Sequence, residues 1–334
     1  MSLEILKPGA LSLLQDSGRY GWQRYGVVVG GAMDEWSHRC ANALLGNEAD
    51  EATLEITLMG PSLRFTQPQV IVLCGADMSA RIGEQALPLN RALVVRAGAQ
   101  LDFGKRVSGM RVYLGVRGGF AVPSVMGSRS TYVRAAIGGL NGRALKKGDV
   151  LPVSDANGPT ASERALLGDR DFVELHSPAL AAPAAELRQR VRMIAGQQWG
   201  LFTEAAQAAF AQAEFQVSPQ SDRMGIRLKG PVLERRHAFE MISEGVAFGT
   251  VQVPPDGQPI VLMADRQTTG GYPKIACVAS VDLPLLAQRW PGESIRFEMV
   301  TIEEAQHLYL ARERALDQLR EVIRAHNVQQ KVKA

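Results

Sequence analysis

Short apolar runs separated by glycines recur through the first half of the chain. Runs rich in Val, Ile and Leu occupy residues 70–73, 92–95, 100–103 and 111–116. Runs of this kind, spaced by about 8–12 residues, are typical of antiparallel β-barrels and β-sandwiches. The pattern therefore predicts a mainly β fold with a few helices.

Three segments have helical periodicity instead. Residues 34–45 begin with an Asp suited to a helix N-cap and are followed by a Gly-Asn pair suited to a helix stop. Residues 203–215 are rich in Ala and begin with a Thr at the cap position. Residues 302–325 place Leu, Ala and Ile side chains on one stripe, which predicts an amphipathic helix that covers a barrel opening or a partner.

The composition is that of a globular protein, and the length sets the domain count. The 334 residues, 46% of them hydrophobic and 21% charged, suffice for two ordinary domains or one large one. The stretch 154–184 contains Asn157-Gly-Pro159 and then an Ala/Pro-rich run, which is typical of a domain boundary. We predict an N-terminal β-barrel subdomain at residues 1–155 and a C-terminal β-barrel subdomain, with the terminal helix, at residues 156–334.

Charge and cysteine usage narrow the class of protein. The net charge of +3 is small and the basic residues are scattered, so the sequence argues against a nucleic-acid surface. The three cysteines lie far apart without a metal-ligand spacing, and we expect thiols of a reducing compartment. The chain begins without a basic leader, and no apolar run approaches the roughly 18 residues of a membrane span. We therefore expect a soluble, cytoplasmic protein.

The segment from Asp265 to Lys274 has the strongest functional pattern. It reads Asp-Arg-Gln-Thr-Thr-Gly-Gly-Tyr-Pro-Lys and lies between two apolar, strand-like runs. A simple turn between strands needs only about two to five residues and no such variety of polar groups. Gly270 and Gly271 would allow positive φ angles and close approach to a ligand. We expect a ligand-facing loop between paired strands, with an exposed Lys274 that binds an anion; a plain surface loop is the alternative.

Two polar clusters in the first half are further candidates for a binding site. Gln15, Asp16 and Arg19 lie within five residues of each other, next to glycines. An Asp16–Arg19 contact across a turn is the structural alternative. Asp34 leads into the predicted helix that carries Asn42. A simple N-cap is the alternative for Asp34.

Hydroxyl and guanidinium groups on glycine-flanked turns suit the binding of phosphate or carboxylate. Ser128, Ser130 and Thr131 form such a turn around Arg129, where a hydroxyl-capped turn is the alternative. Arg223 lies on a predicted strand of the second half.

Several catalytic patterns are missing from the sequence. It contains no Gly-x-x-x-x-Gly-Lys-[Ser/Thr] phosphate loop, no Gly-x-Ser-x-Gly nucleophile turn and no zinc-ligand spacing. No lysine lies in a Met-Lys-Met-like setting, which argues against covalent biotin on this chain. Any chemistry should then rest on electrostatic clamping of an anionic group by Arg and Lys side chains.

Taken in order, the motifs resemble those of the carboxyltransferase A–B subdomain family, also called allophanate hydrolase subunit 2 or KipA-type proteins. The resemblance runs from about Ile5 to Ala325. It rests on Gln15-Asp-Ser-Gly-Arg19, Gly31-Ala-Met-Asp34, Ala41-Asn-Ala-Leu-Leu-Gly-Asn47, Leu54-Glu-Ile-Thr57, Tyr113-Leu-Gly-Val-Arg-Gly-Gly119, Gly127-Ser-Arg-Ser-Thr131, Ser221-Asp-Arg-Met-Gly-Ile-Arg-Leu228, Gly257-Gln-Pro-Ile260 and Asp265 to Lys274.

The resemblance implies two cyclophilin-like β-barrels and an assembly of three kinds of polypeptide. The partners would be a B subunit of the carboxyltransferase C–D type, also called KipI-like, and a LamB/YcsF-type A subunit. The assembly would use ATP with Mg²⁺ to open 5-oxoproline to glutamate. Two other functions stay open: a carboxyltransferase subunit of a biotin-dependent urea carboxylase, and a KipA-type regulatory binding protein.

For this assembly the sequence offers four catalytic candidates, Lys274, Asp265, Arg223 and Arg19. The three cationic side chains would hold a phosphate and the substrate carboxylate. The substrate-binding candidates are Gln15, Asp16, Asp34, Asn42, Ser128, Ser130, Thr131, Gln267, Thr268, Thr269, Gly270, Gly271 and Tyr272. No residue is assigned to a metal.

Overall fold

The computed structural model describes residues 2–154, 158–175, 190–237 and 241–332, with side chains omitted beyond residue 325. Strand content exceeds helix content, 32% against 22%, which confirms the mainly β prediction. No helix among these residues combines the length and the apolar character needed to cross a bilayer.

The chain forms two compact units, and neither is a single stretch of sequence. Unit 1 comprises Met1–Arg19, Gly30–Ala181 and Arg314–Ala334, and unit 2 comprises Tyr20–Val29 and Ala182–Glu313. A cut between residues 155 and 156 falls inside unit 1. No contiguous cut assigns residues 20–29 to unit 2, because only tertiary contacts place them there.

Unit 1 contains two six-stranded antiparallel sheets. Its strands are β1 (Ser2–Lys7), β2 (Leu11–Gln15), β3 (Thr53–Thr57), β4 (Ser62–Phe65), β5 (Gln69–Asp77), β6 (Arg81–Ile82), β7 (Gln85–Ala86), β8 (Leu93–Val95), β9 (Gln100–Asp102), β10 (Ser108–Val116), β11 (Val150–Pro152) and β12 (Phe172–Glu174). The strand orders are β11-β1-β4-β9-β6-β7 and β12-β8-β5-β10-β3-β2. Both sheets contribute side chains to one apolar core, including Ile5, Phe65, Leu73 and Val112.

Strand β5 is buried along nearly its whole length because apolar groups cover both of its faces. Ile71 and Leu73 belong to the core between the sheets, whereas Val70 and Val72 belong to a second cluster. That second cluster includes helix α1 (Glu35–Leu45) and part of the terminal helix α5 (Ile302–Val332). The C-terminal part of the predicted amphipathic stripe therefore covers a sheet face of unit 1, through Leu316, Leu319 and Ile323.

Unit 2 is built around a closed seven-stranded barrel. Its strands, in chain order, are β13 (Arg190–Ala195), β14 (Glu214–Val217), β15 (Gly225–Lys229), β16 (Glu244–Gly245), β17 (Thr250–Gln252), β18 (Ile260–Leu262), β19 (Thr269–Gly270), β20 (Lys274–Val278) and β21 (Ser294–Met299). The barrel order is β13-β20-β17-β18-β15-β14-β21, while β16 and β19 form a separate two-stranded sheet. Helix α3 (Glu204–Gln212) packs Phe210 against Phe215 and Phe297, with ring centroids 5.8 and 4.6 Å apart.

All three predicted helices are present. Helix α1 matches its predicted bounds closely because Asp34 caps its start and Gly46, with φ of 70°, ends it. Helix α3 ends earlier than predicted, at Gln212, because the next residues enter strand β14. Two short helices were not predicted: Ala161–Leu167, which Thr160 and Glu163 cap reciprocally, and Leu283–Ala287.

Burial of His38 in helix α1 makes the stability of the fold sensitive to acid. Its Nδ1 lies 2.8 Å from the Thr53 hydroxyl, and the side chain has no solvent exposure. Desolvation by burial lowers the pKa of His38 to about 4, although the charges of Asp16 and Glu55 oppose this. The folded protein therefore holds a neutral imidazole in mild acid.

We expect stability to fall as the pH drops from about 6.5 towards 4. The unfolded chain takes up the His38 proton first, so the stability contributed by the neutral ring is complete above the unfolded pKa of 6.5 and is lost below it. The loss should reach about 3 kcal/mol by pH 4. Urea denaturation across this range would measure it, with His38→Gln as the reference. Equal pH dependence in the two proteins would contradict the prediction.

Candidate functional site

The predicted ligand segment, Asp265 to Lys274, lies in the connection between strands β18 and β20 of the unit 2 barrel, and its last residue begins β20. We call residues 263–273 the 263–273 loop. We had expected these two strands to pair with each other. They do not, because β17 lies between them. The middle of the loop is held by a second segment. Glu244 pairs with Gly270 and Gly245 pairs with Thr269, so residues 244–245 belong to the same local structure. The loop is thus anchored at both ends and at its centre.

The two glycines of the loop do not supply positive φ angles, so that part of the prediction is wrong. Gly270 instead lies in close approach to a neighbouring side chain. A Cβ atom at this position would lie 2.5 Å from Nε2 of the buried Gln252. The same Nε2 donates to the Tyr272 carbonyl at 3.3 Å. The Gln252 amide therefore supports the loop from below, and a side chain at position 270 would displace it.

Lys274 is the first residue of strand β20, and it is buried rather than exposed. Only 8% of the residue is accessible. Its Nζ lies 2.6 Å from Oε2 of Glu244, a carboxylate that is half exposed. Its backbone N–H donates to Gln198 Oε1 at 3.1 Å. A fixed ammonium group beside a solvated carboxylate can meet an incoming anion if Glu244 turns outward.

Arg223 and Asp265, two predicted catalytic residues, bind each other. Nε of Arg223 donates to Oδ2 of Asp265 at 2.9 Å, and Nη2 donates to Oδ1 at 3.0 Å. The backbone N–H of Asp265 also donates to the Arg223 carbonyl at 2.8 Å. Both side chains are buried, so this two-pronged ion pair fixes the start of the loop against the entry to β15. In this structure the pair positions the loop.

The sequence analysis overlooked Arg266, which lies between two chosen residues of the same motif. It is 8% exposed, and its two hydrogen bonds, to the carbonyls of Met263 and Val246, are long, at 3.4 and 3.5 Å. The guanidinium also lies 5.4 Å from the centre of the Phe248 ring. Burial lowers the pKa of Arg266, and nearby Tyr20 and Asp265 partly oppose that effect.

The charge of Arg266 is thus less well compensated than that of its neighbours. Lys274 and Arg223 each have a carboxylate at ion-pair distance, whereas none lies within 4.0 Å of Arg266 in the described part of the chain. A buried guanidinium without a counter-ion favours an anionic ligand. The other polar groups of the loop lie on its accessible side: Gln267 and Thr268 are partly exposed, and Thr269 and Tyr272 are exposed.

Around Asp16 the structure forms a closed hydrogen-bond network in unit 1. Its Oδ1 accepts from the Gly18 N–H at 2.8 Å and from the hydroxyls of Ser128 and Ser130 at 2.7 and 2.5 Å. Its Oδ2 accepts from the Arg129 N–H at 2.5 Å. The carboxylate is buried and is surrounded by protein donors. It therefore ties the turn at residues 16–19 to the turn at residues 128–130.

Arg19 and Gln15 strengthen the same connection. Arg19 has no solvent exposure; its Nε donates to the Val125 carbonyl at 2.8 Å and its Nη2 to the Ser130 carbonyl at 2.9 Å. Gln15 Nε2 donates to the Thr131 carbonyl at 3.0 Å. These contacts give both residues a structural role. The Asp16–Arg19 contact that was the structural alternative does not form, because each side chain binds the 125–131 segment instead.

Asp34 and Asn42 also have structural partners. Asp34 caps helix α1 by accepting from the Ser37 N–H at 2.9 Å and from its hydroxyl at 2.6 Å. The simple N-cap alternative is therefore the one observed. Asn42 is fully buried and donates to the Glu51 carbonyl at 2.7 Å, which shapes the turn after the helix. The predicted site residues thus fall into two groups: a buried network in unit 1 and a partly accessible loop in unit 2.

Comparison with known proteins agrees with this arrangement of motifs. The sequence profile of the carboxyltransferase domain, subdomain A and B, matches residues 25–299. The chain is 40% identical to the C subunit of 5-oxoprolinase from Escherichia coli K12, covering 97% of this chain and 99% of that protein. It is 37% identical to the C subunit of 5-oxoprolinase from Haemophilus influenzae, covering 97% of this chain and all of that protein.

A solved structure extends the likeness to the fold. The urea amidolyase of Kluyveromyces lactis superposes with a TM-score of 0.84 at 30% identity. The match covers 95% of this chain but only 20% of the amidolyase chain. Sequence and fold therefore agree: this protein belongs to the carboxyltransferase subdomain A and B family.

Proposed function

We propose that this chain is the C subunit of an ATP-dependent 5-oxoprolinase, which opens 5-oxoproline to glutamate in the cytoplasm. The observation that carries the proposal is the 40% identity, across nearly the whole of both chains, to the C subunit of Escherichia coli 5-oxoprolinase. The urea amidolyase likeness is weaker in sequence and covers a fifth of that protein. A carboxyltransferase C–D type B subunit would complete the enzyme together with a LamB/YcsF-type A subunit.

The proposed reaction needs positive charge beside an anion. A lactam resists hydrolysis, and phosphorylation of its oxygen by ATP would create a leaving group. Lys274 and Arg266 carry the charges suited to a phosphate oxygen or the substrate carboxylate, and such preorganised charge is a large term in catalysis. Arg223 and Asp265 then act as positioning residues. If MgATP binds here, these cations suit its phosphate groups. We assign no Mg²⁺ ligand to the chain.

Glu244 has a defined part in this proposal. Its carboxylate forms an ion pair with the Lys274 ammonium group at 2.6 Å. An anionic ligand must therefore share the ammonium group with Glu244 or replace Glu244 there. Because Glu244 is half exposed, water can solvate its carboxylate once it turns away. The ion pair gives the buried ammonium group a counter-ion before the ligand arrives.

We expect the isolated chain to be inactive and the assembly to hydrolyse ATP only with 5-oxoproline. The reason is that Arg266 and Lys274 can stabilise charge but provide neither a nucleophile nor a complete nucleotide site. The measurement is ATP hydrolysis by the chain alone, by the two partners alone and by all three proteins. Strong 5-oxoproline-dependent hydrolysis by the chain alone would refute this prediction. Activity only with urea and a carboxylated biotin carrier would instead support the carboxyltransferase alternative.

A further inference from the structure

Unit 2 exposes a continuous aromatic segment, residues 20–26, which we call the aromatic loop. All seven residues are exposed. Tyr20 is 66% accessible, Tyr25 63% and Trp22 39%. Large aromatic side chains are normally buried at least in part, and a cluster of exposed ones indicates an interaction surface. The proposed chemistry of the 263–273 loop uses none of these three rings.

The aromatic loop is ordered by contacts of its own. A short 3₁₀ turn covers Gln23–Tyr25, and the N–H groups of Tyr25 and Gly26 donate to the carbonyls of Trp22 and Gln23, both at 2.9 Å. The rings of Trp22 and Tyr25 lie 6.0 Å apart, and the Arg24 guanidinium lies 4.7 Å above the Tyr25 ring. A surface that is already ordered loses less conformational entropy when it binds.

Glycines bound this ordered segment on both sides of the turn. Gly21 and Gly26 have φ angles of +88° and +79°, and a Cβ atom at either position would meet nothing within 4 Å. Among the described residues nothing packs against either glycine, so both glycines serve the backbone conformation of the turn.

Composition and charge indicate what the aromatic loop binds. Trp, Tyr and Arg are the residues enriched at the energetic centres of protein–protein interfaces. Arg24 is the only charged residue among residues 20–26, so the complementary surface should be apolar with a carboxylate at its edge.

The relatives support a protein as the occupant. In the Kluyveromyces lactis urea amidolyase, the equivalent of this chain is 20% of one longer polypeptide. There, further protein is covalently attached to the same fold. A separate chain of this family can obtain such neighbours only through a non-covalent surface.

We propose that the aromatic loop is the docking surface for a partner protein, one with an apolar contact area and an acidic rim. This inference rests on the proposed function, since it takes the partner to be the B subunit of the same assembly. The aromatic loop and the candidate site belong to the same compact unit, unit 2.

The test is the affinity of the full chain for the purified B subunit, measured by titration calorimetry. The double variant Trp22→Ser/Tyr25→Ser should weaken binding by about 100-fold or more, because residues at the centre of an interface dominate its affinity. Reversing the charge with Arg24→Glu should weaken binding more at low salt than at high salt. Both variants should melt like the wild type, since the changed side chains are exposed.

Tyr309→Ser is the matched control. Tyr309 is also an exposed tyrosine of unit 2, 40% accessible, with the Arg312 guanidinium 5.5 Å from its ring centre. Its loss should leave the affinity unchanged. Wild-type affinity in the double variant, an equal loss in the control, or wild-type self-association that the double variant abolishes would each overturn the docking surface. Failure of the wild-type chain to bind the B subunit would count against the proposed function as well.

Discussion

Replacing Lys274 with methionine should lower the turnover of the assembled enzyme by about 10²–10³-fold, the usual effect of removing one group that stabilises transition-state charge. Methionine keeps most of the apolar stem of this buried side chain and removes the charge. The measurement is 5-oxoproline-dependent ATP hydrolysis by the three-protein assembly at saturating substrate.

Stability separates a catalytic from a structural role for Lys274. Its partner Glu244 is half exposed and can be solvated when left alone, so we expect the variant to lose no more than about 1 kcal/mol of stability. Lys229→Met, at an exposed lysine of strand β15, is the control and should keep the full rate. Wild-type turnover in Lys274→Met would remove Lys274 from the site.

Replacing Asp16 with alanine should destabilise unit 1 strongly, by about 4 kcal/mol, because it leaves several buried donors without an acceptor. The affected donors are the N–H groups of Gly18 and Arg129 and the hydroxyls of Ser128 and Ser130. At about 2–4 °C per kcal/mol for a unit of this size, the melting temperature should fall by roughly 10 °C.

Asp77→Ala is the matched control for Asp16. Asp77 lies in the same unit and accepts from the Ser79 N–H at 2.9 Å at an exposed position, so its loss should cost less than about 1 kcal/mol. If Asp16 were a substrate-binding residue instead, its variant would melt like the wild type and lose only activity. That outcome would restore the predicted binding role.

Local signals in the sequence were sufficient to predict helix α1. The Asp34 cap and the Gly46 stop define helix α1 because capping depends on residues adjacent in sequence. The capping box at Thr160 and Glu163 was equally readable, although the sequence analysis did not use it.

The roles of the polar residues depended on partners far away in the sequence. Asp16 binds Ser128 and Ser130, which lie 112 and 114 positions later, and nothing near Asp16 distinguishes a buried network from a ligand site. Lys274 was expected to be exposed, and no nearby residue indicates that it pairs with Glu244, which lies 30 positions earlier. The same types of charged residue occur in buried networks and in accessible ligand sites. Only the fold therefore decides which of them are exposed to solvent.

The sequence indicated the loop through its polar residues, but the reason given for its glycines was wrong. Its variety of polar groups does mark the most accessible polar segment among the predicted sites. The feature that distinguishes Gly270 is the close approach of the Gln252 side chain, and not a positive φ angle. Arg266 was not among the predicted site residues because its distinctive property depends on the fold: it is buried, and no carboxylate among the described residues lies within 4.0 Å of it.

The most direct test of this account is the conversion of ¹³C-labelled 5-oxoproline by the purified assembly, followed by NMR. With ATP and all three proteins present, labelled glutamate should accumulate, and omission of this chain should abolish it. Glutamate formation at the same rate without this chain would contradict the account.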